Sequence, residues 1–95
     1  MMYRLEFHPK AVLEFMALDK ATRTQLERKL QQRLVQPKIP SAQLSGDLAS
    51  CYKIKLRQQG VRLIYRVIDD QLLVLVLAIG KREDGQAYQD AAKRV

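Results

Sequence analysis

The chain has 95 residues, 47% of them hydrophobic, and carries 17 Lys and Arg against 10 Asp and Glu, a formal net charge of +7. That composition describes one small globular domain with a single modest core rather than a disordered chain, and the charge points to nucleic acid, an acidic protein or an anionic surface as partner. One Cys and one His exclude an intrachain disulfide and argue against a Cys/His metal site.

No apolar run approaches the roughly 20 residues that span a bilayer. The longest, Leu72 to Ile79, has the length of a strand. The start, Met1-Met2-Tyr3-Arg4, reaches Glu6 without a signal-like apolar stretch, and the lone Cys51 suits a reducing compartment. The expectation is a cytoplasmic protein with no membrane association.

Met2 to Phe7 alternates weakly and reads as a first strand. Pro9 suits the first turn of a helix, with His8 just before it as a local cap or an exposed residue. Val12, Phe15, Met16 and Leu18 form its short apolar stripe. Asp19 is the expected cap of a second helix from about Lys20 to Gln36. Leu26, Leu30 and Leu34 recur every four residues and define its buried side, with Arg23, Arg28, Lys29 and Arg33 around the exposed part. Pro37 and Pro40 end this helix. Ser41 to Ser50 is a polar connection with a turn at Gly46.

Tyr52-Lys53-Ile54-Lys55-Leu56-Arg57 alternates apolar and cationic residues with period two, the pattern of a strand with one face on a core. Gln58-Gln59-Gly60 leads into a return strand in which Val61, Leu63, Tyr65 and Val67 alternate likewise. Cross-strand partners share a face, so the register that matches apolar to apolar gathers Lys53, Lys55, Arg57, Arg62 and Arg66 on the other side, diluted only by Ile64. Asp69-Asp70 turn the chain into Leu72 to Ile79. That strand is apolar at nearly every position, as expected of one buried on both faces in mid-sheet, and Gly80 ends it. Glu83 to Val95 reads as a weak helix at best, interrupted by Gly85. The fold class is α+β, with an N-terminal strand, then two helices packed on one face of a mainly antiparallel sheet, and a short C-terminal segment. The cationic face is expected to be left open.

From Cys51 to Ile68 there are five basic residues and no acidic one. Solubility devices on a sheet normally intersperse both signs, because like charges directly opposite one another destabilise the pair. An acid-free cluster is more expected of a face that binds phosphate.

Cys51-Tyr52-Lys53-Ile54-Lys55-Leu56-Arg57, Gly60-Val61-Arg62-Leu63-Ile64-Tyr65-Arg66-Val67-Ile68-Asp69, Ile79-Gly80-Lys81-Arg82-Glu83 and Tyr88 together resemble the RelE family of bacterial toxins. The similarity runs from Tyr3 to Arg94. It implies a fold like that of the microbial ribonucleases and a single domain over residues 1–95. It also implies a metal-independent endoribonuclease that cuts messenger RNA in the ribosomal A site and inhibits translation, working without a cofactor. The partners implied are a RelB-like antitoxin, the bacterial ribosome with its messenger, and operator DNA only through the antitoxin complex. Carried over by position, the resemblance puts a catalytic set at Lys53, Lys55, Arg62, Arg82 and Tyr88, with Arg57, Arg66 and Lys81 as phosphate grips. Val61, where the family commonly has an aromatic residue, and Ala87, where a branched aliphatic is usual, depart from the pattern without removing a polar group.

Cleavage by a ribose 2′-OH needs a proton acceptor, charge stabilisation at the phosphorane and a stabilised leaving 5′ oxygen. The resemblance assigns the base to Lys55; packing it beside Lys53 and Arg62 lowers a lysine's pKa by like-charge repulsion. Arg62 would hold the non-bridging oxygens, Arg82 would stand at the leaving oxygen, and Tyr88 would stack on a base and fix the 2′-OH. Two other readings use the same residues differently. One is a gyrase-poisoning, ParE-like toxin that is not a nuclease; the other is a non-catalytic module that binds RNA on the ribosome.

Overall fold

The computed structural model describes residues 2–83 and 85–95. Its elements are β1 (Arg4–Phe7), α1 (Pro9–Met16), α2 (Lys20–Val35), β2 (Cys51–Leu56), β3 (Val61–Ile68), β4 (Leu73–Lys81) and α3 (Gln86–Arg94), with three short 3-10 turns between them. The helix starts follow from local chemistry. The His8 ring Nδ1 accepts the Lys10 amide at 3.1 Å, and Asp19 accepts both the amide and the hydroxyl of Thr22. Each supplies an acceptor that the first turn of a helix lacks. Asp19 is held below the ordinary carboxylate range by those bonds.

The sheet order is β1-β4-β3-β2. β4 lies between β1 and β3, as its unbroken apolar run requires. β1 pairs with it in parallel, so the sheet is mixed, with its hairpins antiparallel. The β2–β3 register sets Tyr52 opposite Tyr65, Ile54 opposite Leu63, and Lys55 opposite Arg62, matching the faces expected from alternation.

The main core lies between this sheet and helices α1 and α2, where Leu26 and Leu30 meet Ile54, Leu63, Tyr65, Val74 and Val76. Tyr65 is fully buried. Its hydroxyl donates to the Pro37 carbonyl at 2.6 Å and accepts from Arg33 at 2.8 Å. Arg33 also donates to the Lys53 carbonyl. It is therefore a structural clamp from α2 to the sheet, not one of the helix's free cations, because a buried phenol needs partners.

The opposite face of the sheet is not open. A second core of Leu48, Cys51, Ile64, Leu77, Ala78, Ala87 and Ala91 seats α3 on it. Two features made this hard to see in sequence. Ile64, fully buried, is the floor of that core rather than a gap in a cationic row. A register shift between Ile64 and Tyr65 also sets Ile64 against Ala78 but Tyr65 against Val76. The extra residue, Leu77, lets β4 place Leu77 and Ala78 on one side. The C-terminal segment is a full helix for the same reason: small residues at 87 and 91 recur at one turn and fit closely against the sheet. Arg94 anchors its end, donating to both carboxylate oxygens of Glu14 and to the Leu77 carbonyl.

Candidate active site

The site forms where β2, β3 and β4 run out beyond the edge of α3. Lys55 and Arg62 are directly opposed across the hairpin, and Arg62 is opposed in turn by Gly80 on β4. The amide of Arg82 donates to the Gly60 carbonyl at 2.8 Å. This bond ties the start of the segment after β4 to the hairpin turn and brings Arg82 round to the Lys55 side.

Lys55 has its pKa lowered from the ordinary lysine range. The first cause is the charge of Lys53, two residues away on the same side of β2, followed by burial and the charges of Arg62 and Arg82. Three neighbouring cations thus act on the Lys55 amine and disfavour its charged form. A lysine surrounded by like charge has a larger neutral fraction, and only neutral lysine accepts a proton.

Tyr88 reaches this group from α3. The guanidinium carbon of Arg62 lies 4.7 Å from the centre of its ring, within cation–π range. Arg62 Nε is buried and has no hydrogen-bond partner among the described residues. Arg66 Nε is in the same state, so what sets Arg62 apart is the Tyr88 ring against its guanidinium.

Gly80 makes the approach of α3 possible, and its role was not legible in sequence. The strand does not end there; it continues to Lys81. A Cβ on Gly80 would come within 3.1 Å of the Ala87 amide nitrogen. The absent side chain opposite Arg62 is the space into which the first turn of α3 settles, and that contact sets Tyr88 above Arg62.

The structure therefore brings Lys53, Lys55, Arg62, Arg82 and Tyr88 together. It separates Arg66 and Lys81 from them and leaves Arg57 beside Lys53 and Lys55. Arg57 follows β2 on the exposed turn and continues the Lys53–Lys55 side. Arg66 lies four residues along β3 from Arg62, about 13 Å at strand rise, with buried Ile64 between them. It pairs with Cys51, and its charge opposes the upward push that burial gives the Cys51 thiol. Lys81 is opposite Val61, a residue of the helix-packed core, so alternation turns it away from Arg62. His8 is the α1 cap and stands outside the site. Among the described residues no group of three or more His, Cys, Asp or Glu side chains is arranged to hold a metal ion, and no helix is long and apolar enough to cross a membrane.

The sequence and fold recur in known proteins. A family model described as the ParE toxin of a type II toxin–antitoxin system, parDE, matches residues 5–85. The chain is 43% identical over 95 residues to the mRNA interferase toxin RelE of Escherichia coli K12, covering 100% of this chain and 99% of that protein. A mutant of the E. coli toxin RelE in the free state superposes with a TM-score of 0.92 at 42% identity, covering 100% of this chain and 99% of that one. The toxin in the intact E. coli RelBE toxin–antitoxin complex superposes with a TM-score of 0.80 at 43% identity, over 83% of this chain and 95% of that one.

Proposed function

Because the chain belongs to the RelE/ParE family of type II toxins, we propose that it is a toxin that cleaves messenger RNA in the ribosomal A site, by attack of a ribose 2′-OH on the adjacent phosphate. The observation that carries this reading is the direct opposition of Lys55 and Arg62, with Tyr88 over Arg62 and Lys55 depressed by its cationic neighbours. A purely electrostatic RNA-binding face needs the charges but not a lysine driven toward its neutral form.

In this mechanism Lys55 takes the 2′ proton. Arg62 holds the non-bridging oxygens as charge builds on phosphorus. Arg82 stabilises the leaving 5′ oxygen as a charge, since a guanidinium is a poor proton donor. Lys53 keeps Lys55 depressed and adds to the field. Tyr88 holds Arg62 by its ring and orients the nucleotide with its exposed side. The O2′–P bond forms as the P–O5′ bond breaks, and the leaving 5′ oxygen takes a proton from solvent, giving a 5′-OH and a 2′,3′-cyclic phosphate that water can later open to a 3′-phosphate. Gyrase poisoning, the alternative branch of the family, gives no role to this proton-transfer arrangement.

The site has no imidazole or carboxylate among these five residues, so it depends heavily on substrate positioning, which contributes roughly 7–11 kcal/mol in favourable cases. A ribosome presenting a bent codon supplies that positioning. The test is single-turnover cleavage of one labelled messenger, free and ribosome-bound. Fast cleavage only on the ribosome supports the reading. Equal rates would show a self-sufficient nuclease, and tight ribosome binding without cleavage would show a binding module.

The partner that silences the toxin is proposed to be an acidic, RelB-like antitoxin encoded beside it, steered by the +7 charge. The same complex is proposed to repress its own operon, with operator DNA met only through the antitoxin. The cytoplasm is the compartment this function requires.

A further inference from the structure

A groove leaves the candidate active site around the open edge of β2. Two adjoining hollows, of about 290 and 280 Å³, share Lys29, Lys55 and Arg57 as lining residues. The first is completed by Gln25 and the turn glutamines, the second by Arg33, Ser41 and Lys53. Among the described residues no carboxylate lines either one. Cations enter from both walls. Lys29 and Arg33 are one helical turn apart on α2, about 6 Å by helix rise. Lys53, Lys55 and Arg57 repeat every second residue, about 6.7 Å by strand rise.

The backbone adds donors to this groove. The Ser50 carbonyl accepts from Val67 of β3, whereas the Cys51 carbonyl accepts from Leu44 and the Lys53 carbonyl from Arg33, both outside the sheet. Peptide direction alternates along an edge strand, so the amide and carbonyl of Lys55 also face outward, into the groove. Lysines on a sheet edge commonly serve only to prevent strand addition. That role needs no cations on the helix opposite, and here Lys29 faces the edge from α2.

We propose that this groove is a second phosphate-binding subsite, which grips the backbone of the same single-stranded RNA beyond the nucleotides being cleaved, with Lys29 and Arg57 as its cationic walls and the outward Lys55 amide as a donor. The inference rests on the RNA-cleaving reading of the adjoining site, since Lys55 belongs to both. Cations repeated at this interval along β2, faced by Lys29 from α2, match an extended phosphate backbone, and phosphate contacts hold a strand without reading its sequence.

The test is the affinity of the intact protein for fluorescein-labelled oligouridylates, a trinucleotide and a dodecanucleotide, each with a 2′-deoxy sugar at the scissile position. The wild type is expected to bind the longer probe at least about tenfold more tightly. Lys29→Glu should remove most of that gain, leave trinucleotide affinity and circular dichroism unchanged, and flatten the salt dependence by about 0.7 for each phosphate that is no longer gripped. Gln25→Glu, at the other end of the groove, should act in the same direction. Lys29→Glu binding the dodecanucleotide as tightly as the wild type would overturn the proposal. So would a polyglutamate peptide that binds in a Lys29-dependent way where the oligonucleotide does not, since the groove would then seat an acidic polypeptide. Lys29-dependent RNA binding by a protein that cuts nothing on ribosomes would keep the subsite and discard the nuclease. Ribosomal cleavage with no effect of RNA length or Lys29 would do the reverse.

Discussion

Glu14 on α1 and Arg94 on α3, 80 positions apart, meet in a two-point ion pair with N–O distances of 2.9 and 2.8 Å. The same two side chains satisfy β4 where β1 no longer accompanies it. Glu14 accepts from the Ile79 amide and Arg94 donates to the Leu77 carbonyl. The pair both closes an unfinished sheet edge and fastens the helix that carries Tyr88.

Breaking that fastening should weaken the fold and the site together. Glu14→Ala orphans the Ile79 amide and leaves Arg94, 11% exposed, without its main partner. The expected loss is roughly 2–4 kcal/mol, in the range for breaking a partly buried, charge-assisted network. Urea denaturation measures it. Arg94→Ala and the double variant should lose about as much as Glu14→Ala alone, because they remove one shared network. Strictly additive losses would show that the two residues act separately.

Arg62→Ala should keep the fold, since its guanidinium lies outside both cores, and reduce cleavage on programmed ribosomes on the order of 10²–10³-fold. Tyr88→Phe keeps the ring that packs on Arg62 and should lose less than Tyr88→Ala. A folded Arg62→Ala protein with near-normal cleavage would remove Arg62 from the mechanism.

The depressed pKa of Lys55 sets the sign of a pH dependence. If the neutral amine is the base, cleavage rises with pH until Lys55 is deprotonated, and it levels off below the ordinary lysine value of about 10.4. Lys53→Met removes the largest depressing charge, so Lys55 titrates higher and the rising limb moves to higher pH. Stability follows the same linkage: the fold disfavours charged Lys55, so this group's contribution improves as pH rises through its folded pKa toward the unfolded one. A pH–rate profile unchanged by Lys53→Met would assign the base elsewhere.

Gly80→Ala tests the seat of α3. Gly80 has no left-handed backbone to defend, so the added methyl acts only through its 3.1 Å approach to Ala87. The fold should survive with α3 displaced outward. Cleavage should fall by roughly tenfold to 10²-fold, as misplacing a positioning group does, while Arg62-dependent RNA binding persists. Unchanged cleavage would show that Tyr88 tolerates a shifted helix.

Co-expression with the adjacent acidic gene product should yield a stable complex that no longer cuts messenger. A neighbouring product that neither binds nor protects cells would remove the antitoxin reading.

Much of this molecule was legible from residue order because the signals are local. Asp19 and His8 cap helices through side chains a few positions away, Leu26, Leu30 and Leu34 mark a face by period alone, and alternation in β2 and β3 sets Lys55 against Arg62. The same alternation gathered Lys53, Lys55 and Arg62 on one face, whereas Arg82, Tyr88 and the catalytic roles came from the likeness to a family, since no spacing links position 88 to position 62. Tertiary structure alone decided the rest. Whether the second sheet face stays open depends on Ile64, Ala78, Ala87 and Ala91 meeting across three elements, and on the shift of register at Leu77 that turns two successive residues to one side. Whether residues 86–94 form a lasting helix depends on Glu14, far outside any sequence window. Arg33 reads as one more exposed cation until Tyr65 and the Lys53 carbonyl are found beside it, and Gly80 reads as a strand end until Ala87 fills the space it leaves. Periodicity reports which way a side chain points along its own element; which element arrives to meet it is set by packing between segments distant in the chain.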